Sequence, residues 1–191
     1  MSIGNLLPTV AVYCGSSDGK DEAYANAATE VGNLLAQEGI RLIYGGGQRG
    51  LMGIVADSVM AAGGVATGII PEFMIEREWA HRGITELITV NTMSERKEQM
   101  LSLASGIITL PGGLGTLEEL SEVVSWSQLL IHRKPIGILN TAGYYDAFLS
   151  FFQHMLDEGF IAGNAADLLL VEEQPEVLLK RMAEFLRNEE E

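Results

Sequence analysis

Two carboxylates, Glu118 and Glu119, follow directly on a glycine-rich turn, Pro111-Gly112-Gly113-Leu114-Gly115-Thr116-Leu117. An apolar run, Gly106 to Leu110, leads into the turn, and a helical pattern, Leu120 to Leu130, leads out. A turn of this kind between a buried strand and a helix N-terminus leaves backbone N–H groups free. The helix dipole adds partial positive charge, so an anion such as a phosphate is favoured there. Binding a phosphate needs no carboxylate alongside; a reaction on a phosphorylated ligand can use one. Acidic residues in a first helical turn also act as dipole partners, and Thr116 to Glu119 fits a capping box. That role suits one of the two. The other can orient or deprotonate water, or stabilise an oxocarbenium-like sugar, as carboxylates do in glycoside hydrolysis.

Met93-Ser94-Glu95-Arg96-Lys97 sets two adjacent cations in the first turn of a helix, against the dipole preference, and so invites a compensating anion. Arginine grips phosphate in bidentate fashion and lysine adds a mobile charge. The plainer alternative is a solvated basic spot paired with Glu95 or Glu98. A second glycine loop, Gly45-Gly46-Gly47-Gln48-Arg49-Gly50, matches the G-x-G-x-x-G spacing, and Glu72 follows about 20 residues on, as in dinucleotide sites. Taken alone it points to NAD, or to a tight turn with no ligand. Paired with the first loop, it could flank one phosphate or cup the two ends of a nucleotide. Ser16, in Cys14-Gly15-Ser16-Ser17-Asp18, suits contact with a base or phosphate, and equally an ordinary helix entrance.

The elements that must position these residues alternate. Strands are expected at Thr9–Cys14, Arg41–Tyr44, Val65–Ile70, Glu86–Val90, Gly106–Leu110, Pro135–Asn140 and Asp167–Val171. Helices are expected at Asp21–Glu38, Leu51–Ala62, Ser94–Ala104 with Ser94 as cap, Leu120–Leu130, Tyr145–Glu158 and Pro175–Asn188. Most of the strands are continuously apolar, the signature of a parallel sheet covered on both faces. A single doubly wound Rossmann-like α/β domain over residues 1–191 is therefore expected, with ligands beyond the carboxyl ends of the strands. Trp126, Leu129 and Leu130 suit a dimer contact or the core, and the core is the expected place.

Composition narrows the partners. A net charge of −14 over 191 residues argues against a nucleic-acid surface. No stretch approaches the roughly 20 apolar residues of a membrane span, and Met1 to Pro8 lacks the pattern of a secretory signal. The one cysteine, Cys14, excludes an internal disulfide and fits a cytoplasmic protein with a buried inert thiol. His81, His132 and His154 have no ligand-like spacing, so no metal is expected, and neither a P-loop nor a G-x-S-x-G elbow occurs.

Together these residues resemble the LOG ("Lonely guy") family of cytokinin riboside 5′-monophosphate phosphoribohydrolases, whose P-G-G-x-G-T-x-x-E motif matches Pro111 to Glu119. Many members carry an old label as lysine decarboxylases, although nothing here marks a lysine for a pyridoxal Schiff base. The resemblance covers nearly the whole chain. It includes Cys14 to Ser17, Tyr44 to Gly47, Gly50 to Gly53, Arg96-Lys97 and Trp126 to Leu129. It implies hydrolysis of the N-glycosidic bond of an adenine-type nucleoside 5′-monophosphate without a cofactor, in a homodimer with the site near the subunit interface. By position Arg96 and Glu119 carry the catalytic arginine and glutamate, and Gly113, Gly115 and Thr116 map to the phosphate loop, with Gly112 before them. Arg96 would hold ribose hydroxyls or phosphate, and Lys97 lies beside it. Glu118 is left for the dipole role or a ribose contact, and Ser125, further along the helix, is counted with the substrate-binding residues. One departure is Ser94, where related sequences read M-H-x-R-K. The alternatives are a non-catalytic nucleotide carrier of the same fold and an NAD-dependent oxidoreductase.

Overall fold

The computed structural model describes residues 2–75, 77, 79–161 and 168–190. Seven strands run in parallel: β1 Thr9–Tyr13, β2 Arg41–Tyr44, β3 Ala66–Pro71, β4 Glu86–Val90, β5 Gly106–Thr109, β6 Ile136–Leu139 and β7 Leu170–Glu172. The helices are α1 Ile3–Leu6, α2 Glu22–Gln37, α3 Gly50–Ala61, α4 Met93–Leu103, α5 Leu114–Gln128, α6 Asp146–Asp157 and α7 Pro175–Glu190. The strand expected from Asp167 begins at Leu170; residues 162–167 lie outside the described residues.

The sheet order is β4-β3-β2-β1-β5-β6-β7. The chain winds outward from β1 to β4, then crosses back through α4 to place β5 on the other side of β1. The order reverses between β1 and β5, and the loops leaving these two strands part there. An open α/β sheet has its ligand crevice at such a switch point. Two cores hold the frame. On one face Val10, Val12, Leu42 and Tyr44 pack with Leu35, Val55, Val59 and Met182. On the other, Ala11, Ile43, Ile107 and Ile138 pack with Met100, Leu120, Val123 and Phe152. Adjacent strand residues thus feed opposite cores, which is why the strands read as unbroken apolar runs.

Two boundaries differ from expectation in a way that matters for the site. Helix α4 is capped by Thr92, not Ser94: the Thr92 hydroxyl accepts the Glu95 N–H at 3.1 Å, and the Glu95 carboxylate accepts the Asn91 N–H at 2.8 Å. Helix α5 starts at Leu114, six residues before the apolar periodicity does, with Gly113 as N-cap. Glu118 and Glu119 therefore fall in its second turn, and the Thr116–Glu119 capping box does not form. An early glycine and an exposed leucine carry no periodic signal, so the pattern understates the helix.

The link from α5 to β6 carries a titratable clamp. His132 Nε2 lies 2.9 Å from the Val123 carbonyl and its Nδ1 accepts the Lys134 N–H at 3.2 Å, so both nitrogens are engaged with a neutral ring. Burial depresses its pKa; the Val123 bond opposes this and the charge of Lys134 adds to it. The folded state then takes up the proton less readily than the unfolded chain. Stability is full above the ordinary histidine value of 6.5 and falls as pH drops through it toward the depressed folded value. Denaturation midpoints are expected to decline from roughly pH 7.5 to 5.5 in the parent protein. The decline should be weaker in His132→Asn, and identical slopes would contradict it.

Candidate active site

The loops after β1 and β5 are tied at their base. Gly15 N–H donates to the Pro111 carbonyl at 3.0 Å, and Met52 N–H, in the first turn of α3, reaches the Gly15 carbonyl at 3.4 Å. Gly50, at φ +62°, lets α3 begin directly against the Ser16–Ser17 backbone, where a Cβ would overlap it. The result is a cleft of two adjoining lobes, each of about 270 Å³, that share Gly15, Ser16 and Gly113. One lobe is walled by Ser17, Asp18, Tyr24, Leu51, Gly112 and Tyr144. The other contains Arg96, Glu118 and Glu119, with Cys14, Gly115 and Thr116 beside them, and apolar cover from Met52, Met74, Met93 and Leu114.

The N-terminus of α5 opens on this cleft. Its first intrahelical bond runs from Leu117 N–H to the Gly113 carbonyl at 3.0 Å, so the N–H groups of Leu114, Gly115 and Thr116 precede the ladder. The glycines divide by cause. At Gly112 a Cβ would overlap the Thr116 hydroxyl, so internal packing demands glycine. At Gly113 and Gly115 a Cβ would meet nothing within 4 Å, and neither φ is positive. The fold has no need of glycine at those two positions, whereas a ligand approaching the backbone does. Gly115→Ala is therefore expected to leave the thermal midpoint within about 2 °C and to weaken ribose 5-phosphate about tenfold or more. Calorimetric titration with a parallel melt checks this, and unchanged affinity would contradict it.

Beside that anion end lie two buried charged residues, Arg96 at 5% exposure and Glu119 at 9%. Burying charge is costly, so such residues are placed for what they hold. Arg96 is the fourth residue of α4. Its guanidinium rests against Gly45, where any Cβ would overlap it, and Met74 and Met93 place sulfur atoms 3.7 and 3.9 Å from Nη1. The Tyr13 hydroxyl and the Cys14 thiol are both pushed up, first by burial and then by the negative charge of Glu119, with Arg96 opposing. The fields of the two charges thus overlap at the end of β1. Cys14 borders the cleft as an inert protonated thiol.

Lys97 is held by helix α5. Its ammonium bonds Glu118 and, at 2.8 Å, Glu122, both on α5, rather than Glu95 or Glu98. Burial disfavours its charge, but the two carboxylates outweigh that and hold its pKa above the ordinary lysine value. The adjacent cations therefore have separate duties: Arg96 faces the cleft and Lys97 fastens α4 to α5. Glu118 borders the cleft with half its side chain exposed and is engaged by Lys97.

Among the described cleft residues are Ser16, Arg96, Gly112, Gly113, Gly115, Thr116, Glu118 and Glu119. Gly45, Gly46, Gly47, Glu72, Lys97 and Ser125 are not. The second glycine loop is used internally: Gly45 backs Arg96, Gly46 accepts His81 N–H at 2.9 Å, and Gly47 bridges Ala80. Glu72 sits exposed in a 3-10 turn over Glu72–Met74. Within the fingerprint, Gly45 makes room for the Arg96 guanidinium. Ser125 is exposed ten residues beyond Gly115, about 15 Å along α5 at the helical rise. Leu129 and Leu130, expected in the core, are 68% and 72% exposed, and Trp126 is half-buried. Tyr24 and Tyr144 were not foreseen. Tyr144 lies five residues past the end of β6, just after the 3-10 turn Thr141–Gly143, and the rule that ligands bind beyond strand ends covers that loop.

A seven-stranded parallel doubly wound sheet, with a helix N-terminus, a buried arginine and a buried glutamate brought together at its switch point, places the chain in the Rossmann-like class. The family model described as "Possible lysine decarboxylase" matches residues 52–182. The rice (Oryza sativa subsp. japonica) cytokinin riboside 5′-monophosphate phosphoribohydrolase LOG is 44% identical over 177 residues, 93% of this chain and 73% of that protein. An Arabidopsis thaliana enzyme of the same description is 39% identical over 190 residues, 100% of this chain and 89% of that one. The chain belongs to this LOG family. Among solved structures, the molybdenum cofactor carrier protein of Chlamydomonas reinhardtii aligns at TM-score 0.71 with 20% identity, covering 94% of this chain and 98% of that one. The molybdenum cofactor binding protein of Rippkaea orientalis aligns at 0.70 with 19% identity, covering 94% and 97%. At these identities the likeness is one of fold.

Proposed function

We propose that this protein hydrolyses the N-glycosidic bond of adenine-type cytokinin nucleoside 5′-monophosphates, releasing free base and ribose 5-phosphate. The observation that carries this reading is the shared lobe, where buried Arg96 and Glu119 adjoin a helix N-terminus kept open by Gly113 and Gly115. The phosphate sits on the N–H groups of Gly113, Leu114, Gly115 and Thr116, with Ser16 at the rim. The ribose then lies toward Arg96 and Glu119. As the bond to the base lengthens, positive charge grows on the ribose, and the Glu119 carboxylate stabilises that charge or deprotonates the attacking water. Arg96 holds ribose hydroxyls or phosphate in place. No step calls on a cofactor or metal.

The ligand is a small nucleotide such as AMP or a prenylated relative; the net charge of −14 makes nucleic acid an unsuited partner. We place the protein in the cytoplasm, as a single domain that pairs as a homodimer. Leu129, Leu130 and Ile131, all more than 60% exposed at the end of α5, support the pairing. Among the described residues no helix is long and apolar enough to cross a membrane. Incubation with AMP and, separately, isopentenyladenosine 5′-monophosphate, followed by chromatography of free base, tests the reading. Base release from the prenylated nucleotide is the expected result, and the ratio of rates reports the pocket's preference. Tight binding of both without release would favour a carrier.

A further inference from the structure

We propose that Tyr144 is a positioning residue for the phosphate-binding turn, acting as a latch on the Gly112–Gly113 peptide. This rests on the reading above, in which the turn takes the phosphate. The Tyr144 hydroxyl donates to the Gly112 carbonyl. Its neighbour Tyr145 donates to the Leu110 carbonyl at 2.7 Å, so consecutive tyrosines hold the carbonyls on either side of Pro111.

The two bonds do different work because their settings differ. Tyr145 is 4% exposed, its N–H is held by Asn140 Oδ1 at 2.8 Å, and it belongs to the core behind β5. Tyr144 is 42% exposed and forms part of the wall of the lobe that contains Gly112 and Gly113. Its ring is steadied edge-on by Tyr24, centroids 5.5 Å apart, and by Tyr145 at 5.0 Å. The hydroxyl is thus presented to the turn by a ring whose place does not depend on that bond.

The peptide it holds carries no side-chain restraint of its own. It joins two glycines, and no side chain on either resists a flip of its plane. On the Gly113 side the space is open, a Cβ there meeting nothing within 4 Å, while Gly112 packs against Thr116. In a planar trans peptide the N–H points opposite to the C=O. Fixing the Gly112 carbonyl on Tyr144 therefore fixes the direction of the Gly113 N–H, at the N-cap of α5 where the anion is received. Without the hydroxyl the turn samples both peptide orientations, and phosphate binds only one.

The test uses Tyr144→Phe, which keeps the ring contacts and removes the donor, with Tyr145→Phe as the comparison. Binding of ribose 5-phosphate and of adenosine is measured by calorimetry on parent and variants, alongside thermal melts. Tyr144→Phe is expected to weaken ribose 5-phosphate about tenfold, leave adenosine within about twofold, and keep the parent melting temperature. Tyr145→Phe is expected to melt lower while retaining the parent's preference for the phosphorylated ligand. Equal loss for both ligands in Tyr144→Phe, or no loss for ribose 5-phosphate, overturns the latch while leaving the phosphate site in place. A parent protein that does not bind ribose 5-phosphate at all overturns the phosphate site, and the latch with it.

Discussion

Glu119→Gln is expected to bind nucleoside monophosphate at close to parental affinity and to release base about 10²–10⁴-fold more slowly. The substitution keeps the volume and planar shape of a side chain 9% exposed, so the packing around it survives. What it removes is the charge. An amide neither stabilises a cationic ribose nor accepts a proton from water, and both needs arise only as the bond breaks. An interaction made only in the transition state lowers kcat and kcat/KM together and leaves ground-state binding alone. Glu118→Gln is the control. Glu118 is half-exposed and bonded to Lys97, so its loss should loosen the α4–α5 contact and cost far less in rate. A Glu119→Gln protein that turns over at the parental rate would remove Glu119 from the chemistry.

Gly45→Ala is expected to lower kcat about 100-fold or more, although Gly45 does not border the cleft. A Cβ at Gly45 would occupy the space of the Arg96 guanidinium and come within 3.1 Å of the Met52 sulfur. Arg96 is 5% exposed and cannot swing into solvent without vacating the cleft, so the guanidinium must shift. Displacing a positioned charge by about 1 Å is enough for a loss of this order. The fold should survive, because the atoms in the way are the far ends of two flexible side chains. A circular dichroism spectrum and melt like the parent's, with rate lost, is the expected pair of results. Parental activity would show that the arginine does not depend on this glycine.

These two substitutions also show what the sequence made legible and what it hid. The doubly wound sheet could be read because strands that serve two cores are apolar at every position, and Val10 to Val12 illustrate this. The loop of Pro111 to Thr116 could be read because glycines between a strand and a helix have few other uses. Gly45 to Gly50 matched a dinucleotide pattern equally well, yet its glycines serve side chains and backbone of the protein itself. Spacing alone cannot distinguish a glycine that admits a ligand from one that admits an arginine; the space around a notional Cβ can. Arg96 and Lys97 are neighbours in sequence but point to different partners, since successive residues on a helix lie about 100° apart. Glu122, which completes the lysine's pairing, has no local mark because the contact crosses 25 positions between helices. The Tyr144 latch was hidden for the same reason, its bond spanning 32 positions.

The central claim is that this cleft cleaves the bond between base and ribose 5-phosphate. Its most direct test is a product balance on pure protein supplied with isopentenyladenosine 5′-monophosphate, with base and ribose 5-phosphate quantified from the same samples over time. The account predicts that the two appear in equal amounts at every time point, and that neither appears above background with Glu119→Gln. Release of inorganic phosphate with the nucleoside intact, or release of base undiminished in the variant, would contradict it.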